Sequence, residues 1–238
     1  MALKRERDHK TGLTRMRMKF YQAGVALVAM MAAAGTATAQ GEFSGNVALT
    51  TDYVWRGVSQ SNGDMAISGG FDYSNGMFYA GTWASNVDFG DDSDTNVEID
   101  FYGGLAGELS NGISWDVGVI YYAYPDAEES DLDFVELKGA LGYAFESGLS
   151  VGGEAYYDVD NENIYLAATT GYSFTDAFSV DASVGNYQFD EGDDYTNWSL
   201  GGTYSALGFG FDLRYWDTDI DGSDLADERV VFTISRSM

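Results

Sequence analysis

The pattern with the sharpest chemistry is Asp217-x-Asp219-x-Asp221-Gly222, completed by Glu228 at the twelfth position. Carboxylates at that spacing are the oxygen ligands of an EF-hand calcium loop, in which glycine permits the sharp turn. Asp217, Asp219, Asp221 and Glu228 are therefore candidate calcium ligands. Their setting differs from that of such a loop, because the flanking residues have strand character and Asp224 stands at the eighth position, where an apolar residue is usual. Other acidic runs share the composition: Asp88 to Thr95, Pro125 to Asp131, Asp158 to Glu162 and Asp190 to Asp194. Taken together, these runs predict a solvated surface that holds Ca2+ or Mg2+ loosely, with no other cofactor.

Carboxylate pairs such as Glu98 and Asp100 are the second chemistry, since two neighbouring carboxylates can divide acid and base roles. Little supports them. The chain has no cysteine and a single histidine, His9. Beyond residue 9 there is thus no Ser-His-Asp or Cys-His apparatus, no Cys/His zinc site and no His-ligated haem. The expectation is a protein that is not an enzyme.

The first 39 residues differ from the rest. Of the chain's 12 basic residues, 7 lie within residues 1–24, followed by the apolar run Val25 to Ala34 and by small residues at Ala37 and Ala39. A basic stretch, a short apolar run and an A-x-A end describe a secretory signal peptide, cut after Ala39, with Met16 or Met18 as alternative starts. Ten apolar residues are too few to span a bilayer as a helix, which needs about 20. Residues 40–238 then carry 36 acidic against 5 basic residues, a formal charge of −31. A field of that sign repels nucleic acid and concentrates cations.

From Phe43 onward apolar residues recur at every second position, the period of a strand with two unlike faces. Phe43, Val47, Leu49, Tyr53 and Trp55 alternate with Ser44, Asn46, Ala48, Thr50 and Asp52, and Phe209, Phe211, Leu213 and Tyr215 alternate with Gly210, Asp212 and Arg214. The connections are of two kinds that alternate strictly. Short turns sit at 74–76, 110–112, 146–148, 175–176 and 206–207; longer loops sit at 57–63 and in the five acidic segments. Five turns and six loops predict twelve strands, near 43–56, 64–73, 77–87, 96–109, 113–124, 132–145, 149–157, 163–174, 178–189, 195–205, 208–216 and 229–238. The even count and the alternation are those of an antiparallel up-and-down transmembrane β-barrel over residues 40–238, with short turns on the periplasmic side.

The polar faces decide between lipid and water outside. They mix Gly, Ala, Ser and Thr with Asp72, Glu98, Asp100, Asp116, Glu136, Lys138, Glu154, Asp181, Asp212 and Arg214. So many carboxylates do not fit a dry core, so this face is expected to line a wet lumen while the apolar face meets lipid. Asp52 and Arg56 extend the same set. Aromatic residues gather at both strand ends, Phe43, Tyr73, Tyr143 and Phe178 at one and Tyr53, Trp55, Trp83, Phe89, Tyr121, Tyr157 and Tyr215 at the other. Two such bands are expected at the two interfaces of a bilayer.

Thr51-Asp52-Tyr53-Val54-Trp55-Arg56-Gly57-Val58-Ser59-Gln60-Ser61, with Ile67-Ser68-Gly69-Gly70-Phe71-Asp72-Tyr73, resembles the TorF-type putative porins. The resemblance extends over nearly all of residues 40–238. It implies an outer-membrane porin and leaves the solute open.

Twelve strands make a barrel wider than the eight-stranded kind that side chains fill. The expected function is passive diffusion of small solutes across the outer membrane. Carboxylates outnumber Arg56, Lys138 and Arg214 on the candidate lining, which favours weak cation selectivity. The alternative is a non-conducting structural or adhesive barrel with divalent cations at its acidic loops. The expected partners are outer-membrane lipid and lipopolysaccharide, the barrel-insertion machinery, and small solutes or cations.

Overall fold

The computed structural model describes residues 41–90, 95–125, 127 and 132–238. The expected signal peptide lies outside them. Strands follow the two-residue alternation closely: β1 (Glu42–Thr50), β2 (Val54–Trp55), β3 (Val58–Ser59), β4 (Ala66–Asn75), β5 (Phe78–Asn86), β6 (Val97–Glu108) and β7 (Ile113–Ala123) come first. They continue with β8 (Phe134–Ala144), β9 (Leu149–Asp158), β10 (Ile164–Thr175), β11 (Phe178–Gln188), β12 (Tyr195–Ala206), β13 (Phe209–Thr218) and β14 (Arg229–Ser237). All except β2 and β3 close into one antiparallel barrel of twelve strands, in the order β1-β14-β13-β12-β11-β10-β9-β8-β7-β6-β5-β4. Closure pairs β1 with β14, Leu49 opposite Ile234, so neither terminal strand is left as an open edge.

The two faces are unlike in the way the alternation requires. Phe71 and Leu200 on the outside are 72% and 61% exposed, whereas Glu98 and Asp100 on the inside are fully buried. Val117, Val119 and Tyr121, on consecutive outward positions of β7, are also exposed. In water such a surface would forfeit about 25 cal/mol for each Å² of apolar area left uncovered. Lipid is the medium that suits it.

The first predicted strand is too long. Alternation runs on through Tyr53 and Trp55, yet β1 stops at Thr50 and residues 51–65 turn into the barrel mouth as a loop, L1. Tyr53 and Trp55 are consequently buried within the barrel rather than placed at a lipid interface. Trp83 also faces inward, its ring 5.4 Å from that of Tyr53. The buried cluster of the protein lies here, at the long-loop end, where Tyr53, Trp55 and Val58 of L1 join Tyr122, Phe134, Tyr156, Tyr165, Tyr187 and Tyr195 of the wall.

Candidate functional site

L1 is turned inward by its own polar residues. The buried Asp52 carboxylate accepts hydrogen bonds at Oδ1 from Ser59 Oγ (2.6 Å) and Ser61 Oγ (3.0 Å), which folds the loop back on itself. Its Oδ2 accepts from Arg229 Nη1 at 2.6 Å, which ties the loop to the first residue of β14. Further ties come from the neighbouring loops: Ser59 N donates to Leu225 O (2.8 Å), and Asp88 N donates to Gln60 O (2.8 Å).

Within L1, β2 and β3 pair Val54 with Ser59 and Trp55 with Val58. Arg56 and Gly57 are left as a two-residue turn, both at positive φ, 47° and 87°. This turn matches the twist of an antiparallel pair and favours Asn-Gly. Glycine is also required by space, since a Cβ on Gly57 would lie 2.5 Å from Thr218 Cγ2. Arginine in the first position is disfavoured in that backbone region, so contacts of its side chain must offset the cost.

Those contacts are extensive. Arg56 Nη1 and Nη2 donate to Glu136 Oε1 (2.8 Å) and Oε2 (2.9 Å), a two-pronged pair. Its Cζ sits 4.1 Å from the ring centres of Trp55 and Tyr165, 4.8 Å from Tyr187 and 4.9 Å from Tyr156. The register explains the aromatic wall: Tyr156 is opposite Tyr165, Tyr165 opposite Tyr187, and Tyr187 opposite Tyr195. Four tyrosines from β9 to β12 thus form one lateral row facing the loop. Tyr195 closes it by donating to Arg56 O at 3.1 Å. Burial alone would lower the pKa of Arg56, but the negative charge of Glu136 reverses this and holds it above its ordinary value. The guanidinium stays charged.

The other candidate lining residues fall into three groups. On one side of the L1 contact, Glu98 accepts from Tyr53 Oη (2.8 Å) and from Tyr124 Oη (2.7 Å). Burial, with the charge of Glu98, pushes the Tyr124 hydroxyl well up, so it remains a donor. Asp100, two residues along β6, is buried with both carboxylate oxygens lacking a hydrogen-bond partner among the described residues. Toward the short-turn end, Lys138 Nζ pairs with Asp116 Oδ2 at 3.0 Å, and Arg214 bridges Asp181 and Asp212. Asp72, Asp116 and Glu154 each accept from a tyrosine, Tyr102, Tyr79 and Tyr156 respectively. A recurring tyrosine-to-carboxylate bond is the feature that strand periodicity could not reveal in full: Tyr156 and Glu154 share one face of β9, but Tyr102 and Tyr79 reach carboxylates on other strands.

Exposure falls steeply toward L1. The side chains of Arg214 and Asp181 are 18% and 27% exposed, against 4% and 1% for Arg56 and Glu136. The inner face is therefore covered where L1 packs against the wall and more open around Arg214 and Asp181.

The calcium pattern is not assembled. β13 runs through Thr218, so Asp217 lies in a strand, where it accepts from Tyr215 Oη (3.1 Å). Asp219 is drawn aside to accept from Thr196 N (2.7 Å). Asp221 and Glu228 are exposed. Among the described residues no group of three or more carboxylate, His or Cys ligands is placed to hold a metal ion.

A family model described as "Bacterial protein of unknown function (Gcw_chp)" matches residues 33–238. The chain belongs to the Gcw_chp family. No curated protein matches it in sequence. Among solved structures this Gcw_chp barrel resembles the KdgM porin (TM-score 0.59, 6% identity, covering 82% of this chain and 97% of that one). It is similar also to the NanC porin (TM-score 0.56, 11% identity, 82% and 98%). A third likeness is to the KdgM porin in complex with disordered oligogalacturonate (TM-score 0.55, 7% identity, 83% and 98%). The Gcw_chp fold is that of these outer-membrane porins.

Proposed function

We propose that this protein is a porin-like outer-membrane channel for passive diffusion of small solutes, weakly cation-selective, with L1 setting its bore. One observation carries the reading: an inner face in which carboxylates exceed the available cations, enclosed by an outer face that only lipid would cover. Arg56, Lys138 and Arg214 are each engaged by carboxylates. The carboxylates of Asp72 and Glu154 accept from tyrosines rather than from a cation among the described contacts, and acidic linings favour cations. Such a lining opposes polyanions of the oligogalacturonate kind named with the KdgM porin, and points instead to neutral or cationic solutes. The finer assignment to TorF-type porins rests on residues 51–61 and 67–73. Export by the signal peptide, insertion by the barrel machinery and contact with lipopolysaccharide belong to the same proposal.

Planar-bilayer recording across a KCl gradient tests it. The expected result is a small conductance whose reversal potential has the sign for K+; no conductance, or preference for Cl−, overturns it. Burial of Tyr53, Trp55 and Val58 through Ser61 at the mouth favours a second reading, a closed structural or adhesive barrel whose acidic loops hold Ca2+ or Mg2+. Swelling of liposomes in small sugars and amino acids separates the two.

A further inference from the structure

Glu136 is buried on β8, and its cation comes from L1 rather than from the barrel. The nearest basic residue on its own strand, Lys138, is committed to Asp116. The remaining hydrogen-bond partner of Glu136 is Tyr122 Oη at 3.0 Å. Next to this carboxylate stand the rings of Tyr156, Tyr165 and Tyr187, all within 5 Å of the Arg56 Cζ. Without L1, the wall would present a carboxylate two oxygens wide beside a row of aromatic faces. That combination selects a flat, delocalised cation with paired N–H donors: the oxygens take the fork and the rings take the planar face. A compact ammonium fits it less well, having no planar fork.

We infer that the barrel wall carries a guanidinium-binding site of its own, formed by Glu136, Tyr156, Tyr165 and Tyr187, which Arg56 fills as a tethered ligand. When L1 withdraws, the site takes the guanidinium of a passing solute. The cost that Arg56 bears at positive φ fits a side chain placed for this contact rather than for its turn. The transport half rests on the channel reading above; the binding half stands without it.

Removal and replacement of the tethered group is the test. Refolded Arg56→Ala protein is titrated with methylguanidinium chloride in the millimolar range, with methylammonium chloride as control. Thermal unfolding and single-channel current are both read. The expected result is saturable stabilisation and block by methylguanidinium at concentrations about tenfold lower than methylammonium requires, the margin expected of a two-pronged planar pair over a point charge. Adding Tyr165→Leu should abolish the difference. If Arg56→Ala does not fold, Arg56→Lys supplies a folded protein with an ill-filled site for the same titration. Equal action of the two cations, or full retention of the effect in the Tyr165→Leu background, overturns the inference. Stabilisation by methylguanidinium in a protein that never conducts would uphold the site and sink the channel; conduction without guanidinium preference would do the reverse.

Discussion

Arg229 Nη1 lies 2.6 Å from Asp52 Oδ2, joining two residues that are 177 positions apart. Asp52 opens L1 and Arg229 opens the last barrel strand, so this pair fastens the inward loop to the seam where the barrel closes. The side chains are 14% and 8% exposed, which leaves little solvent screening. Asp52→Asn removes the charge while keeping an acceptor for Ser59 and Ser61. It should lower stability by about 1–3 kcal/mol, the cost of an under-satisfied buried charged group. Urea unfolding in lipid vesicles reads the loss, and limited proteolysis should cut L1 faster in the variant than in the parent. Unchanged cleavage would mean that the loop is held elsewhere.

Arg56 is under a stronger constraint. Its loss strands Glu136 in an almost fully buried position, and breaking a buried ion pair at one end costs about 3–5 kcal/mol. Arg56→Asn is informative because asparagine suits the positive φ of the turn better than arginine does. The loop backbone is then favoured while its anchor is lost. Arg56→Asn should therefore lower the unfolding midpoint and raise single-channel conductance, since L1 no longer has a side chain reaching across to β8. A conductance equal to that of the parent would show that L1 does not set the bore.

Much of the barrel was legible because period-2 alternation and turn residues speak directly to strand and loop. The observed ends of most strands lie within two residues of those expected from the sequence. The failure at Thr50 has a physical cause. Thr51 to Trp55 alternate small or charged residues with aromatics just as a membrane strand does, and Tyr or Trp is equally at home in an interface and in a packed plug. Nothing local distinguishes the two. Similarly, the alternation put Glu98 and Asp100 on one face, but Arg56 finds Glu136 80 positions away, and the row of Tyr156, Tyr165, Tyr187 and Tyr195 exists only once register is known. The EF-hand-like spacing is a separate case, since Asp217 lies in β13 and Asp219 accepts from Thr196 N. In so acidic a loop, carboxylates recur at ligand spacing without converging.

Selectivity should respond to the half of the lumen nearer the short turns. Arg214 is neutralised there by Asp181 and Asp212. The double variant Asp181→Asn, Asp212→Asn frees its positive charge, and the reversal potential in a KCl gradient should move toward Cl−. Lys138→Gln frees Asp116 instead and should move it toward K+. Shifts of opposite sign are required; shifts of the same sign would place the ion path away from these groups.

Asp100 and Glu136 should respond oppositely to neutralisation, although both are buried carboxylates on neighbouring parts of the wall. Glu136 has a two-pronged cation, so Glu136→Gln leaves Arg56 without its counter-charge and should cost about 3–5 kcal/mol. Asp100 has no hydrogen-bond partner among the described residues and shares its strand face with Glu98. An isolated buried charge opposes folding, and replacing it with a neutral amide of the same shape removes that penalty. Asp100→Asn should therefore raise stability, because the penalty on a buried carboxylate is replaced by the smaller cost of an unpaired neutral amide, about 1–3 kcal/mol. Urea midpoints of the two variants, measured side by side in the same vesicles, check the signs. Loss of stability in Asp100→Asn would show that the carboxylate is satisfied by a cation held inside the barrel, and would turn attention from L1 to the stretch of β6 between Glu98 and Asp100.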